Sequence, residues 1–198
     1  VYDRQDQRNV KAGFLYLIMT HIGTVFIVLI MLLLYKFTGS FEFGIIAAHA
    51  TLIPSFIKNI IFIFAIIGFG TKSGIIPFHI WLPDAHPAAP SHVSALMSGV
   101  MIKTGIYIMI RIFLGMLGPV PIWWGLTLMV LESISCLLGV LYALTEHDIK
   151  RLLAYHSIEN IGIILLGLGS ALTFSSLNMP SLALLSLTAA LFHTLNHA

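Results

Sequence analysis

Ionisable side chains inside apolar runs are the residues of this sequence that could do chemistry. The chain has 198 residues, of which 58% are hydrophobic and only 9% charged, and its nine histidines outnumber its eight acids. An ionisable residue at the centre of a membrane-spanning helix costs about 2.5–3.5 kcal/mol, so each one is a candidate for function. Histidine and lysine both exchange protons when their surroundings are tuned. The pattern therefore favours proton transfer within a membrane.

Two lysines stand out by their positions. Lys103 lies near the centre of an apolar run, about three helical turns from either interface, where burial disfavours its charge and suits a reversible proton carrier. The alternative for Lys103 is a purely structural pair with a carboxylate of another helix. Lys72 stands at a helix break predicted by Gly70, Gly74 and Pro77, and broken spans line cavities or ion sites. The alternative for Lys72 is a side chain that reaches the cytoplasmic headgroups.

Acids and histidines occupy three further apolar runs. Glu132 could belong to a polar stripe facing a hydrated interior, or could be a protonated, hydrogen-bonded core residue. Glu159 has the same two interpretations. His193 and His197, four residues apart on one helix face, predict a proton relay. Their spacing could also bind zinc, but the glutamate of the H-E-x-x-H motif is missing, so we predict no metal site.

The stretch HIWLPDAHP, residues 79–87, predicts a turn on the cytoplasmic side of the membrane. Its prolines would fix the bend, and Trp81 suits the interface between lipid and water. Three of its side chains, His79, Asp84 and His86, could deliver protons to Lys72 or could only shape the turn.

These residues must be positioned by membrane-spanning helices, each about 20 mostly apolar residues long. We predict an all-α polytopic membrane protein, with residues 1–198 forming one transmembrane domain, and the second span broken near Lys72. The six spans are predicted at residues 14–34, 54–76, 91–114, 122–144, 152–172 and 180–198. Lysines and arginines in short loops place the N-terminal lead-in and residues 146–151 on the cytoplasmic side. The first residue is a valine and the last ones lie in an apolar run, so we expect an internal piece of a longer protein.

Composition argues against several other classes of protein. The formal charge of +2, without a basic run, gives no reason to expect nucleic-acid binding. The single cysteine, Cys136, excludes an internal disulfide and a cysteine-ligated iron–sulfur centre within these residues. We therefore expect no cofactor and no redox centre in this chain.

Three stretches carry a resemblance to a known family. FAIIGFGTKSGIIPFHIWLPDAHPAAPSHVSALMSGVMIKTGIYIMIR is followed by ALTEHDIKRLLAYHSIENIGIILLGLG and LFHTLNHA. In this order they resemble the antiporter-like membrane subunits of complex I, multi-subunit Na⁺/H⁺ antiporters and membrane-bound [NiFe] hydrogenases. The run SIENIGII, with its glutamate, resembles the large membrane subunit of hydrogenase-4 and formate hydrogenlyase more than the complex I subunits.

The resemblance implies a fold and a set of roles. The fold would be a larger bundle of inverted repeats, each with a broken helix, of which this chain supplies about six spans. Lys72 would be the lysine of the broken helix and the central switch, and Lys103 would link it to the next half-channel. His193 and His197 would lie on the central polar axis. The glutamate that pairs with Lys72 would lie upstream of residue 1, and the resemblance assigns Glu132 no role.

The function that the resemblance implies is proton translocation in a redox-driven complex of the cytoplasmic (inner) membrane. The chain would be a membrane subunit without a redox centre of its own. Its partners would be other membrane subunits and a peripheral [NiFe] hydrogenase or iron–sulfur arm. A subunit of a Na⁺/H⁺ antiporter without redox coupling is the first alternative. A membrane scaffold whose polar residues only pack is the second.

Overall fold

The computed structural model describes residues 6–198. Within that range the chain forms helices and no strand. The helices are α1 (Gln7–Thr38), α2 (Phe43–Ala48), α3 (Ser55–Ser73), α4 (Leu82–Ala88), α5 (Ser91–Leu96), α6 (Ile102–Ile110), α7 (Ile122–Thr145), α8 (Ile149–Ser176) and α9 (Pro180–Asn196). A short 3₁₀ turn covers Ala50–Leu52, and π-helical turns at Met97–Met101 and Arg111–Met116 flank α6. The prediction of an all-α fold is confirmed.

Five helices are long and apolar enough to cross a membrane. They cover Gln7–Thr38, Ser55–Ser73, Ser91–Met116, Ile122–Thr145 and Ile149–Ser176. The third of these joins α5 and α6 with both π-helical turns into one continuous helix. The sixth predicted span corresponds to α9, which has 17 residues and is therefore shorter than the about 20 that a bilayer requires.

The chain leaves regular helix directly after Lys72, where a break was predicted. Helix α3 ends at Ser73, and Gly74 takes the left-handed backbone conformation with φ of 76°. Its N–H donates to the Gly70 carbonyl at 2.8 Å, a helix end that glycine adopts without a steric penalty. Pro77 follows in the non-helical segment that leads to α4. The second span is therefore broken, as the spacing of glycine and proline predicted.

After the break, residues 79–81 form the predicted turn, but Leu82–Ala88 continue as the short packed helix α4. Trp81 is 1% exposed, and its Nε1 donates to the Thr71 carbonyl at 2.9 Å. Its ring also meets Tyr16 edge to face, with centroids 5.2 Å apart. Helix α4 then packs against α1 and α8. An indole favours an interface when its N–H needs water, and here the protein itself supplies the acceptor.

Glycines allow α7 and α8 to pack with their backbones close together. A Cβ atom at Gly139 would lie 2.8 Å from the Glu159 amide nitrogen, and one at Gly162 would lie 2.9 Å from the Cys136 amide nitrogen. Small residues are the usual means by which membrane helices approach closely, since lipid provides no hydrophobic drive between helices. Helices α7 and α8 are therefore closely packed against each other beside the polar residues.

Aromatic side chains join the N-terminal half of α3 to α7. Phe62 and Trp124 stack with ring centroids 4.4 Å apart, and Phe113 lies 5.2 Å from Phe62. The Trp124 Nε1 donates to the Asn59 Oδ1 at 3.0 Å. These contacts join α3 and α7 at this end of the protein.

Candidate functional site

Lys103 is buried on α6 and is bound to the last residues of the chain. The side chain is 8% exposed, and its Nζ donates to the carbonyl oxygens of Ser98 and His197, the latter at 3.2 Å. The same Nζ lies 2.9 Å from the His197 Nδ1. Among the described residues no carboxylate lies within ion-pair distance of Lys103. Lys103 therefore does not form, within these residues, the ion pair with a carboxylate that was the alternative interpretation.

A polar strip on α8 and α9 continues from this point. The Asn160 Oδ1 lies 2.9 Å from the His193 Nε2, and the Asn160 Nδ2 donates to the His156 carbonyl at 2.7 Å. The His156 Nδ1 lies 2.8 Å from a carboxylate oxygen of Glu159. Glu159 and Asn160 lie about one turn after His156 on α8, so the strip follows from helical spacing together with the packing of α9.

A pocket of about 280 Å³ opens beside Lys103 and is lined mainly by polar side chains. Its lining comprises four serines, three histidines, Lys150, an alanine and a leucine. Within it the His86 Nδ1 is hydrogen-bonded to the Ser94 hydroxyl, and the Ser98 and Ser157 hydroxyls are 3.0 Å apart. Most of the exposed surface of this open pocket is carbon, so water would be held only at its hydroxyl, imidazole and ammonium groups, which include His86 and the histidine that binds Lys103.

Lys72 lies on the other side of Lys103, in the last turn of α3. The neighbouring Ser73 hydroxyl donates to the Ile102 carbonyl at 3.2 Å, which fixes the end of α3 against α6. A Cβ atom at Gly105 would lie 3.5 Å from the Lys72 Cγ, so the lysine side chain packs on α6 near Gly105, on a different face of that helix from Lys103. The described residues provide Lys72, which is half-buried, with neither a hydrogen bond nor an ion pair.

Three of the predicted site residues lie away from this pocket. Asp84 is exposed and lies 3.8 Å from Arg151, which also contacts Glu146 at 3.4 Å, so it belongs to a solvated ion-pair cluster at the start of α8. His79 is half-buried in the segment between α3 and α4. Glu132 is fully buried on α7 and is not part of the pocket lining. Of the nine predicted proton-pathway residues, His86 and His197 line the pocket and Lys103 bonds to His197. The other three are Lys72 at the end of α3, and His193 and Glu159 in the polar strip.

Sequence reasoning missed the serines that connect the pocket. Ser98 and Ser157 are hydrogen-bonded to each other across the pocket, and Ser157 also donates to the Leu153 carbonyl one turn earlier. Serines in membrane helices commonly bond back to their own helix in this way. The only sequence signal was that Ser98 lies five residues before Lys103, and that spacing alone does not indicate a shared site.

The described residues include no group of three or more His, Cys, Asp or Glu side chains placed to hold a metal ion. His193 and His197 instead bond to Asn160 and to Lys103, respectively. The site is therefore built from hydrogen-bonding and proton-exchanging groups.

Comparisons with known proteins agree over the whole chain. The family model described as NADH:quinone oxidoreductase/Mrp antiporter, transmembrane, matches residues 1–198. Hydrogenase-4 component B of Escherichia coli K12 is 48% identical over 201 residues, covering 100% of this chain and 30% of that protein. Formate hydrogenlyase subunit 3 of the same organism is 41% identical, covering 96% of this chain and 31% of that protein.

More distant relatives extend the agreement. NADH-quinone oxidoreductase subunit M of Rickettsia typhi is 33% identical, covering 82% of this chain and 33% of that protein. A chain of the membrane-bound sulfane sulfur reductase, an archaeal respiratory membrane complex, superposes with a TM-score of 0.73 at 28% identity. That superposition covers 92% of this chain and 32% of the other. The chain spans about a third of the length of the relatives that it matches.

Proposed function

We propose a function from one premise: the chain belongs to the NADH:quinone oxidoreductase/Mrp antiporter transmembrane family. It translocates protons as part of a membrane subunit of a redox-driven complex of the hydrogenase-4 or formate hydrogenlyase type. The identities of 48% and 41% to subunits with those names support this assignment over the complex I type, whose relative is 33% identical. Its partners are other membrane subunits and a peripheral [NiFe] hydrogenase or iron–sulfur arm, and its location is the cytoplasmic membrane.

The contact between Lys103 and His197 is the observation that carries the proposal. When Lys103 is charged, its ammonium donates and the His197 Nδ1 must accept, so that nitrogen is unprotonated. The ammonium is buried and, among the described residues, has no carboxylate beside it, which makes retention of its proton costly. The pair can therefore share and release one proton, which is the behaviour that a relay requires.

The arrangement suggests a route with two branches that meet at Lys103. On one side the polar pocket reaches from Lys103 and His197 to His86 of α4. On the other side Lys72 packs on α6 near Gly105, beside the break after Ser73. Charge on Lys72 would be set by a carboxylate of the longer protein, and a redox event elsewhere in the complex would change that pairing. A lysine that alternates between a paired and an unpaired state alternates between holding and releasing its proton.

The strip of His193, Asn160, His156 and Glu159 would continue the route from α9 to α8. Histidine and carboxylate side chains suit such a chain because each can accept and donate at neutral pH with modest help from its surroundings. Asp84 contributes instead to the charged surface near Arg151, where a side chain can exchange protons with bulk water.

The test uses the intact complex in proteoliposomes, with proton uptake measured by a pH-sensitive dye during electron transfer. Lys103→Met and Lys72→Met keep the length of each side chain and remove the exchangeable proton. We expect each to lower proton uptake per electron by about tenfold or more, since a positioned proton-transfer group contributes on that scale or above it. Lys36→Met, at an exposed lysine in the last turn of α1, is the matched control.

Three outcomes separate the proposal from its alternatives. Loss of uptake in both variants, with normal assembly and normal uptake for Lys36→Met, supports it. Unchanged uptake in an assembled complex would show that these residues only pack, as in a scaffold. Proton movement that depends on Na⁺ and persists without electron transfer would replace the redox-driven assignment by Na⁺/H⁺ antiport.

A further inference from the structure

Glu132 is a buried acid that the proposed route does not use. Its side chain lies on α7 with a relative exposure of 0%, and neither carboxyl oxygen has a hydrogen-bond partner among the described residues. It is not part of the polar pocket beside Lys103. Buried carboxyl groups are normally hydrogen-bonded, so an orphan of this kind calls for an explanation.

The enclosure of Glu132 is made by this chain's own residues. Leu128 and Ser135 on the same face of α7 are both buried. The α8 backbone comes so close that a Cβ atom at Gly162 would lie 2.9 Å from the Glu132 carbonyl oxygen. The carboxyl group is therefore enclosed by residues within the described range 6–198. Its partner must be a proton, a water molecule or a rearranged neighbour.

Glu132 lies at the level of the helix break. The Ser135 hydroxyl, one turn further along α7, accepts a hydrogen bond from the Ile76 N–H at 3.1 Å. The Trp124 indole, eight residues before Glu132, is bonded to α3 at Asn59, so the two helices run in the same direction between these contacts. Three residues of helix rise about 4.5 Å, so Glu132 lies about one turn of α7 from the contact between Ser135 and the segment after α3. Lys72 belongs to the last turn of α3, four residues before Ile76.

We infer that Glu132 is a proton-binding residue of the translocation route and exchanges its proton with Lys72 at the break of α3. The inference rests on the proposed function, since it adds a residue to the same route. In the forward step, when movement of the break brings the two groups together, the O–H bond of the Glu132 carboxyl group breaks and the proton joins the neutral Lys72 amine. A neutral acid and a neutral amine thereby become a carboxylate and an ammonium, with no net change of charge. The reverse step restores the acid.

This role explains the absence of hydrogen bonds at Glu132. A carboxyl group that only filled space would be replaced without loss by an amide or an apolar side chain of similar volume, whereas an orphan carboxyl group costs free energy. The contact between Ser135 and Ile76 ties the same face of α7 to the break. Movement of the break would therefore change the surroundings of the carboxyl group and hence its readiness to release a proton.

The test is Glu132→Gln in the intact complex, with Glu42→Gln at an exposed glutamate before α2 as the matched control. Glutamine keeps the volume and loses the exchangeable proton. We expect proton uptake per electron to fall by about tenfold or more for Glu132→Gln and to stay unchanged for Glu42→Gln. Infrared difference spectra between oxidised and reduced complex should show a protonated carboxyl band that Glu132→Gln removes. A residue that only packs would contribute no such redox-dependent band.

The outcomes separate this inference from the proposed function. If Lys103→Met abolishes uptake while assembled Glu132→Gln retains full uptake and the carboxyl band, the inference is overturned and the proposed function stands. If neither variant affects uptake, both are overturned. Should Glu132→Gln fail to assemble, Glu132→Asp replaces it, because it keeps an acid one methylene shorter. That variant should retain uptake with a shifted carboxyl band, and an unshifted band would overturn the inference.

Discussion

Gly105→Ala is expected to disturb the contact between the end of α3 and α6, the helix that carries Lys103. A Cβ atom at this position would collide with the Ser73 hydroxyl and would lie 3.0 Å from the Phe69 carbonyl oxygen. Ordinary van der Waals contact begins at 3.4 Å, so α3 would have to move by about 0.4 Å. The Ser73 hydroxyl would also have to rotate away from the Ile102 carbonyl, which it now meets at 3.2 Å.

The magnitude follows from these two effects. Overpacking a tight contact costs about 1–3 kcal/mol, and a lost buried hydrogen bond costs about 0.5–1.5 kcal/mol. We therefore expect Gly105→Ala to lower the free energy of unfolding of the subunit by about 2–4 kcal/mol. The Lys72 side chain packs near the same glycine, so the substitution should also displace Lys72 and reduce proton uptake per electron.

The assay compares Gly105→Ala with Gly115→Ala in the same membrane span. A Cβ atom at Gly115 would meet nothing within 4 Å, so this control makes the same chemical change without a collision. Stability is measured by thermal unfolding of the purified complex, and proton uptake is measured in proteoliposomes. Gly105→Ala should lower both quantities, and Gly115→Ala should lower neither. Equal behaviour of the two variants would refute the reasoning that this close contact positions Lys72.

Two further substitutions test the packing that supports the site. Gly125→Ala should reduce the amount of folded subunit, because its Cβ would lie 2.6 Å from the Gly169 carbonyl oxygen. Gly44→Ala is the control, since its Cβ would meet its nearest atom at 3.8 Å. Equal amounts of both variants in purified membranes would contradict this expectation. Asn59→Leu should destabilise the subunit by about 1–3 kcal/mol, because it removes the acceptor of the buried Trp124 N–H. In a Trp124→Phe background the same substitution should cost less in thermal unfolding, and a fully additive loss would argue against the hydrogen bond.

The membrane fold could be predicted because its signals are local. Runs of about 20 apolar residues determine where a helix crosses a bilayer, and such runs can be identified directly in the sequence. The break beside Lys72 was equally local, since Gly74 adopts a backbone conformation that glycine favours and Pro77 cannot continue a helix. Family membership was also predicted, and the match over residues 1–198 confirms it.

The segment after the break shows where local reasoning was wrong. Trp81 reads as an interfacial residue in the sequence, yet its N–H bonds to the Thr71 carbonyl within the protein. Whether an indole N–H bonds to water or to a backbone carbonyl depends on how the segment after α3 packs against α3. No pattern within HIWLPDAHP specifies this packing. The roles assigned to the ionisable residues remain predictions that the experiments above test.

By itself, the sequence determined an all-helical membrane chain, the position of its broken helix and the ionisable residues within its spans. Only the tertiary structure decided which of those residues meet. Lys103 and His197 are 94 positions apart, and Ser98 and Ser157 are 59 apart, yet each pair is in contact. Such pairs depend on which faces of the helices meet and on glycines that let the backbones approach, as at Gly105. Hydropathy and spacing specify a face of one helix, but the partner of that face is a property of the whole bundle.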